Sequence, residues 1–463
     1  MIPHMLSRRS LLALTAAGAG YGVVRMLQRT PLASMLADDA GFGPLVDDPA
    51  GLVRLPRGFS YKVLSRTGET MSDGLLVPGA HDCMGAFPGP DGRTILVRNH
   101  ELTLLVEGAF GDGCEKLHSG LRERLYDAGR GVAPPLGGTT TLVFDTRTQT
   151  LERHWLSLAG TLRNCAGGVT PWGSWISCEE SDVRATDSIE RDHGFCFEVP
   201  ARADGGLVEP VPLVAMGRCN HEAIAVDPRT GFVYLTEDRE DGLLYRFLPD
   251  QPGKLAAGGR LQALALADRK SAETGNRKER AIALGEELAV RWVDLEEPAS
   301  PRDDLRYQGF SKGAARFVRA EGMAYADGSV WFMCTTGGAA GKGQVWRLRP
   351  DPAEQPGDGA AAATRLELFF ESPGAEVLDC GDNITVAPWG DLVVCEDGSG
   401  HDCVVGITTE GRAYRIAEHV ASDHEIAGVV FSPDGSTMFV NVQRPGLTLA
   451  ITGPWGQRGA RQG

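Results

Sequence analysis

The stretch Asn220 to Asp238 reads NHEAIAVDPRTGFVYLTED and holds three carboxylates, Glu222, Glu237 and Asp238. Apolar residues Ala223 to Val226 lead into the turn Asp227 to Gly231. Strand-forming residues Phe232 to Leu235 then return the chain. Such a pattern predicts a β-hairpin, whose two open ends lie side by side. Glu222 and Glu237/Asp238 are therefore expected on one edge. Crowded carboxylates repel, and burial penalises their charged forms further. Acids in such number predict bound cations rather than general protonation.

The same arrangement recurs along the chain. His81-Asp82 opens a hairpin closed by Asn99-His100-Glu101, and Asn164-Cys165 opens one closed by Glu179-Glu180. Arg319-Ala320-Glu321 pairs with Thr335-Thr336, Gly381-Asp382 with Glu396-Asp397, and His424-Glu425 with Asn441. A turn glycine centres each copy: Gly92, Gly173, Gly231, Gly328, Gly390 and Gly435. Unequally spaced copies of one β unit predict an all-β chain, a β-propeller of six blades with loop and helical insertions. First strands line a propeller's channel. Asp82, Cys165, Glu222, Glu321, Asp382 and Glu425 are thus expected as a ring at one mouth, with the hairpin-closing residues just outside it. A cysteine among carboxylates has two readings, a buried small hydrophobe or a thiolate ligand. Its place in the ring favours the ligand, which suits a transition metal better than calcium. Arg319 can hold two oxygens of an anion as a fork or simply pair with Glu321. Histidines 81, 100, 221 and 424 each adjoin a ring position, so strand alternation turns them away from the axis.

The elements that must position these groups fit the chain's size. Its 463 residues include 60 glycines, with 42% hydrophobic residues and a net charge of −15. Six blades of roughly 40 to 50 residues plus insertions account for that length. An acidic balance argues against a nucleic-acid partner, which needs basic density. Ten cysteines form no CxxC pair, and Cys178, Cys334 and Cys395 sit at strand ends suited to burial. No Gly-x-Ser-x-Gly elbow supports a serine hydrolase. Residues 1–37 read as a twin-arginine-type signal or N-terminal anchor, with Arg8-Arg9 before the apolar run Leu11 to Val24. That signal implies the twin-arginine export machinery as partner and a periplasmic location, with or without an uncleaved anchor. The propeller is expected over 45–456. Gly58 to Leu64 predicts an early strand that closes the last blade. Insertions fall at about 102–137, with a helix over Lys116 to Tyr126, and 249–311, with a helix over Glu286 to Arg291. Pro352 to Ala363 is low in complexity.

Four motifs carry a family resemblance: VRNHE at Val97 to Glu101, NCAGGVTPWGSWISCEE at Asn164 to Glu180, NHEAIAVDPRTGFVYLTED, and RAEG at Arg319 to Gly322. Together they resemble the PhoX-type alkaline phosphatases. The resemblance implies an exported propeller that hydrolyses small-molecule phosphate esters using iron (Fe3+) and calcium (Ca2+) at one channel mouth. It implies Cys165, Glu222 and Glu321 as iron ligands, with Asp82 as a further one. It implies Glu179, Glu180, Glu237 and Asp238 as calcium-binding acids, and Asn99 and Arg319 as phosphate contacts, with Tyr307 a candidate addition. It implies no stable protein partner. A calcium-dependent propeller hydrolase of lactonase type, or a non-catalytic binding propeller, are the alternatives.

Overall fold

The computed structural model describes residues 40–104, 107–353 and 363–458. The signal-like stretch before Ala40 and most of the low-complexity segment lie outside them. The described chain is all-β and propeller-like, with four smaller sheets and one nine-stranded sheet. Six strands are innermost: His81–Pro88, Asn164–Val169, His221–Val226, Ala320–Ala326, Gly381–Val386 and Ile426–Phe431. Each packs against the next, and the last packs against the first. Each also begins a hairpin with the strand that follows, as the turn signals predict.

The nine-stranded sheet holds two of these inner strands. One half runs outward from His221–Val226 to Glu287–Asp294. The other runs from Ala320–Ala326 to Arg365–Glu371, and the halves join where those outer strands pair. Glu287–Asp294 overturns the helix expected over Glu286 to Arg291. Its Leu288 and Val290 are buried while Glu287 is exposed, a period-two pattern that completes a sheet. The 249–311 segment is therefore largely structural. It supplies this strand, Gly259–Leu266 and the short helix Leu305–Ser311. The helix expected over Lys116 to Tyr126 shrinks to Ser119–Arg122. Beyond it, the Tyr126 and Asp127 amides are drawn onto the Ala159 and Gly160 carbonyls.

Ser60–Arg66, from the N-terminal region, pairs with Leu447–Thr452 and completes the last sheet. Apolar side chains fill the spaces between sheets. Met84, Leu96 and Phe144 of the first sheet meet Phe439 and Ala450 of the last. Phe87, Ile95 and Val97 meet Trp175 and Phe197 of the second. Fully burying each such large side chain contributes about 1.5–3 kcal/mol. Near the centre there is room only for glycine. A Cβ on Gly168 would stand 2.1 Å from the Ile224 carbonyl oxygen, and one on Gly322 2.5 Å from that of Asp382.

Candidate metal centre

At one end of the circuit the six inner strands repeat a single hydrogen-bonding device. The carbonyls of Ala80, Arg163, Asn220, Arg319, Cys380 and Glu425 accept from the amides of Glu101, Glu180, Asp238, Thr335, Asp397 and Gln443, at 2.9–3.1 Å. Two residues further on stand Asp82, Cys165, Glu222, Glu321 and Asp382. In each of those five strands the register slips there, so that two residues oppose one. A bulge of this kind re-aims a side chain out of the regular pleat. The sixth strand differs, because its slip falls between Ala427 and Val430 and leaves Ala427-Gly428 at the inner position. Gly428 adopts φ 66° and packs on the Asp82 carbonyl. Glu425 reaches the cluster from the outer position that Arg163 and Arg319 occupy in their strands. Glu425 therefore stands outside the ring of inner donors in which the sequence places it.

Donor atoms converge in three overlapping groups: Cys165, Glu180 and Glu222; Glu222, Glu321 and Asp382; and Asp82, Asp382 and Glu425. Within each group they lie within 4.8 Å of one another. The inner five residues are at most 7% exposed. Burial, reinforced by the neighbouring carboxylates, drives Asp82, Glu222, Glu321 and Glu425 well above the ordinary carboxylate range. Burial and Asp397 push Asp382 up to about 8. Burial also pushes Glu180 up to about 7, against the pull of Arg163. The Cys165 thiol is pushed up by burial, then by Glu222 and Glu180, and it donates to the His221 carbonyl at 3.4 Å. These groups are short of positive charge. A cation would relieve all of them at once.

Two guanidiniums stand over the cluster. Arg319 donates Nε and Nη2 to the two Asp238 oxygens at 2.9 Å each, and Nη2 to Glu321 at 2.6 Å. Arg163 pairs through Nη2 with Glu101 at 2.8 Å and with Glu180, and its Nε donates to the Glu180 carbonyl at 3.0 Å. Asn220 links the two sides, donating to the Glu180 carboxylate at 2.8 Å and the Asp238 carbonyl at 3.0 Å. Arg163 escaped the sequence reading, although Arg163-x-Cys165 has the spacing of Arg319-x-Glu321. Glu101 and Asp397 were legible as hairpin closers. Asp382 was legible as a ring member, and Glu425 as an acid at the opening of its hairpin.

Several expected site residues lie elsewhere. Glu179 accepts from the Leu162, Gly194 and Phe195 amides and from His193, all buried inside the sheet. Glu237 accepts from the Tyr245 hydroxyl at 2.6 Å and pairs with Arg306. Each precedes a mouth-facing acid by one residue, so strand alternation sends it the opposite way. Asp238 does face the mouth, where it holds Arg319. Asn99 is fully buried behind Cys165. Its amide donates to the Cys165 and Ala166 carbonyls, and its oxygen accepts from Trp175 and Ser177. That amide is wholly engaged, so Asn99 fixes the Cys165 backbone rather than facing a ligand. Tyr307 is 51% exposed and accepts from Arg306 on the helix Leu305–Ser311. His81, His100 and His221 are buried and bound to the carbonyls of Pro78, Gly79 and Gly217.

A sequence profile described as "Alkaline phosphatase PhoX" matches residues 40–143 and 135–446. No curated protein sequence matches the chain. Among solved structures, PhoX of Pseudomonas fluorescens in complex with vanadate, a transition state analogue, is similar. It has 17% identity and a TM-score of 0.64, covering 88% of this chain and 97% of that one. A gluconolactonase of Xanthomonas campestris is more distant, at 12% identity and TM-score 0.37, covering 89% of this chain and 98% of that one.

Proposed function

The chain belongs to the alkaline phosphatase PhoX family, and from that premise we propose a metal-dependent phosphomonoester hydrolase working at the acidic mouth. The observation that carries this reading is the convergence of Cys165, Glu180, Glu222, Glu321, Asp382, Asp82 and Glu425 in three overlapping groups. A phosphomonoester dianion would be repelled by such acids alone. The donor set fits two kinds of ion. A thiolate beside carboxylates at Cys165, Glu180 and Glu222 suits a transition metal, which we infer to be Fe3+, with Glu321 reached through Glu222; this moves Glu180 out of the calcium set that the resemblance implies. The all-oxygen group Asp82, Asp382 and Glu425 suits Ca2+, which moves Asp82 out of the implied iron set. When bound, such ions supply positive charge to the phosphoryl oxygens and acidify a water nucleophile.

The chain's own residues prepare for that charge. Asn99 fixes the backbone that presents Cys165. Asn383 donates to Asp382 at 3.2 Å and accepts from the Gly428 amide, joining neighbouring inner strands under the acids. Arg319 keeps its Nη1 without a protein partner among the described residues, free to donate to a phosphoryl oxygen. We count the architecture as six blades, dividing the nine-stranded sheet where Glu287–Asp294 meets Arg365–Glu371. The repeated hydrogen-bonding device in six inner strands supports that count. The twin arginine at Arg8-Arg9 supports export by the twin-arginine route to the periplasm.

Elemental analysis together with turnover of an aryl phosphate tests the proposal. Iron plus calcium, with turnover abolished by EDTA, is the expected result. Calcium alone, with no phosphatase activity, would overturn it in favour of a hard-oxygen hydrolase.

A further inference from the structure

Arg163 and Arg319 are the same device placed at two sites. Both adopt φ 46°, a left-handed backbone uncommon for a side-chain-bearing residue. Both lie two residues before an inner donor, Cys165 or Glu321. Both pass their carbonyl to the residue closing the hairpin, Glu180 or Thr335. Both engage Nε and Nη2 with carboxylates or a carbonyl and leave Nη1 without a partner among the described residues. Their side chains are 42% and 31% exposed, while the acids they hold are 7–15% exposed. The cations are the solvent-facing layer of the mouth.

The two are joined by a continuous polar arc: Arg163, Glu180, Asn220, Asp238, Arg319. The arc passes over the inner groups built on Cys165, Glu222 and Glu321. We propose that Arg163 is a second phosphoryl-binding residue, gripping the substrate dianion from an inner strand other than that of Arg319, with His221–Val226 between the two. This rests on the phosphatase reading of the mouth. A guanidinium whose only task was to neutralise Glu101 and Glu180 could be wholly buried and fully bonded. Arg163 instead keeps an unused donor edge at the opening. A phosphoryl group offers several equivalent oxygens, so one fork engages only part of it, and a second donor from another direction fixes its orientation. The site therefore favours a terminal phosphoryl dianion over a diester, which has fewer charged oxygens for two cations.

The test is Arg163→Gln and Arg163→Lys in the metal-loaded full chain. Readouts are iron and calcium content, KM and kcat for an aryl phosphate, and inhibition by inorganic phosphate and vanadate. Expected for Arg163→Gln are unchanged metal content and phosphate and vanadate inhibition weakened roughly 10- to 100-fold, as losing a charge-assisted contact implies. KM should rise, with a smaller change in kcat. Arg163→Lys should recover part of the affinity, since a point charge remains but the fork is lost. Unchanged inhibition in both variants, or metal loss with normal vanadate affinity in the molecules still loaded, would overturn the role. Should Arg163→Gln not fold, Arg163→Lys decides alone, wild-type affinity counting against the proposal. Absence of turnover in the wild-type protein would instead sink the phosphatase reading itself.

Discussion

At the scale of single residues, Cys165 separates this mouth from a purely oxygen-lined one. Burial and the neighbouring acids hold its thiol in the protonated form, so a cation taking the sulfur would have to displace that proton. Cys165→Ala is expected to remove iron and most phosphatase turnover while leaving the circular dichroism of the folded chain unchanged. Full activity in that variant, with normal iron, would exclude the assignment. Arg319→Ala is expected to weaken inorganic phosphate inhibition by about tenfold or more. It should also loosen Asp238, whose two oxygens it holds, and unchanged inhibition would argue against a phosphoryl role. Adjacent acids must be told apart. Glu180→Gln should lower metal content. Glu179→Gln should leave metal content intact but cost about 3 kcal/mol or more of stability, because it leaves a buried pair broken.

At the scale of elements, that contrast also shows where the sequence was legible. Hairpin signals around Gly92, Gly173, Gly231, Gly328, Gly390 and Gly435 located the mouth, because turn chemistry and alternating apolar residues are local. The bulges were not legible. They depend on how closely neighbouring inner strands pack, and they decide which of two consecutive residues faces the opening. Alternation was applied to His81, His100 and His221 and turned them away correctly. Applied to Glu179-Glu180 and Glu237-Asp238, it would have kept one acid of each pair. The strand Glu287–Asp294 was missed because its edge is covered by Arg365–Glu371, distant in sequence. One more element-level device is buried beside the site. His193 lies between Glu179 at 2.6 Å and Asp127 at 3.4 Å. Burial opposes its charge, but the two carboxylates prevail and push it up to about 9. A histidine raised in the fold stabilises fully below its unfolded value near 6.5 and loses that contribution as pH climbs through 9. His193→Gln should therefore destabilise at pH 6 and matter much less at pH 10, as measured by urea unfolding.

At the scale of the whole molecule, the acidic mouth sets a dependence of the same sign over a lower pH window. Its carboxylates hold protons in the folded metal-free state to higher pH than in the unfolded chain, Asp382 to about 8 and Glu180 to about 7. The native state thus binds more protons between roughly pH 4 and 8, and stability falls as pH rises through that window. Thermal melts of EDTA-treated protein should show a decline from pH 5 to pH 8.5. Calcium should restore the melting temperature, and by more at pH 8.5 than at pH 5, because it binds the deprotonated acids. A decline that calcium does not reverse would place its cause outside the mouth. The seam between Ser60–Arg66 and Leu447–Thr452 adds a constraint of timing. Asp82 comes from the first sheet and Glu425 from the last, so they become neighbours only once the two ends of the polypeptide have found each other. A nascent chain still tethered to the ribosome is an unfinished arc. It cannot bring Asp82 beside Glu425 before the strand Leu447–Thr452 has emerged, and any ion held by both would have to wait for that closure.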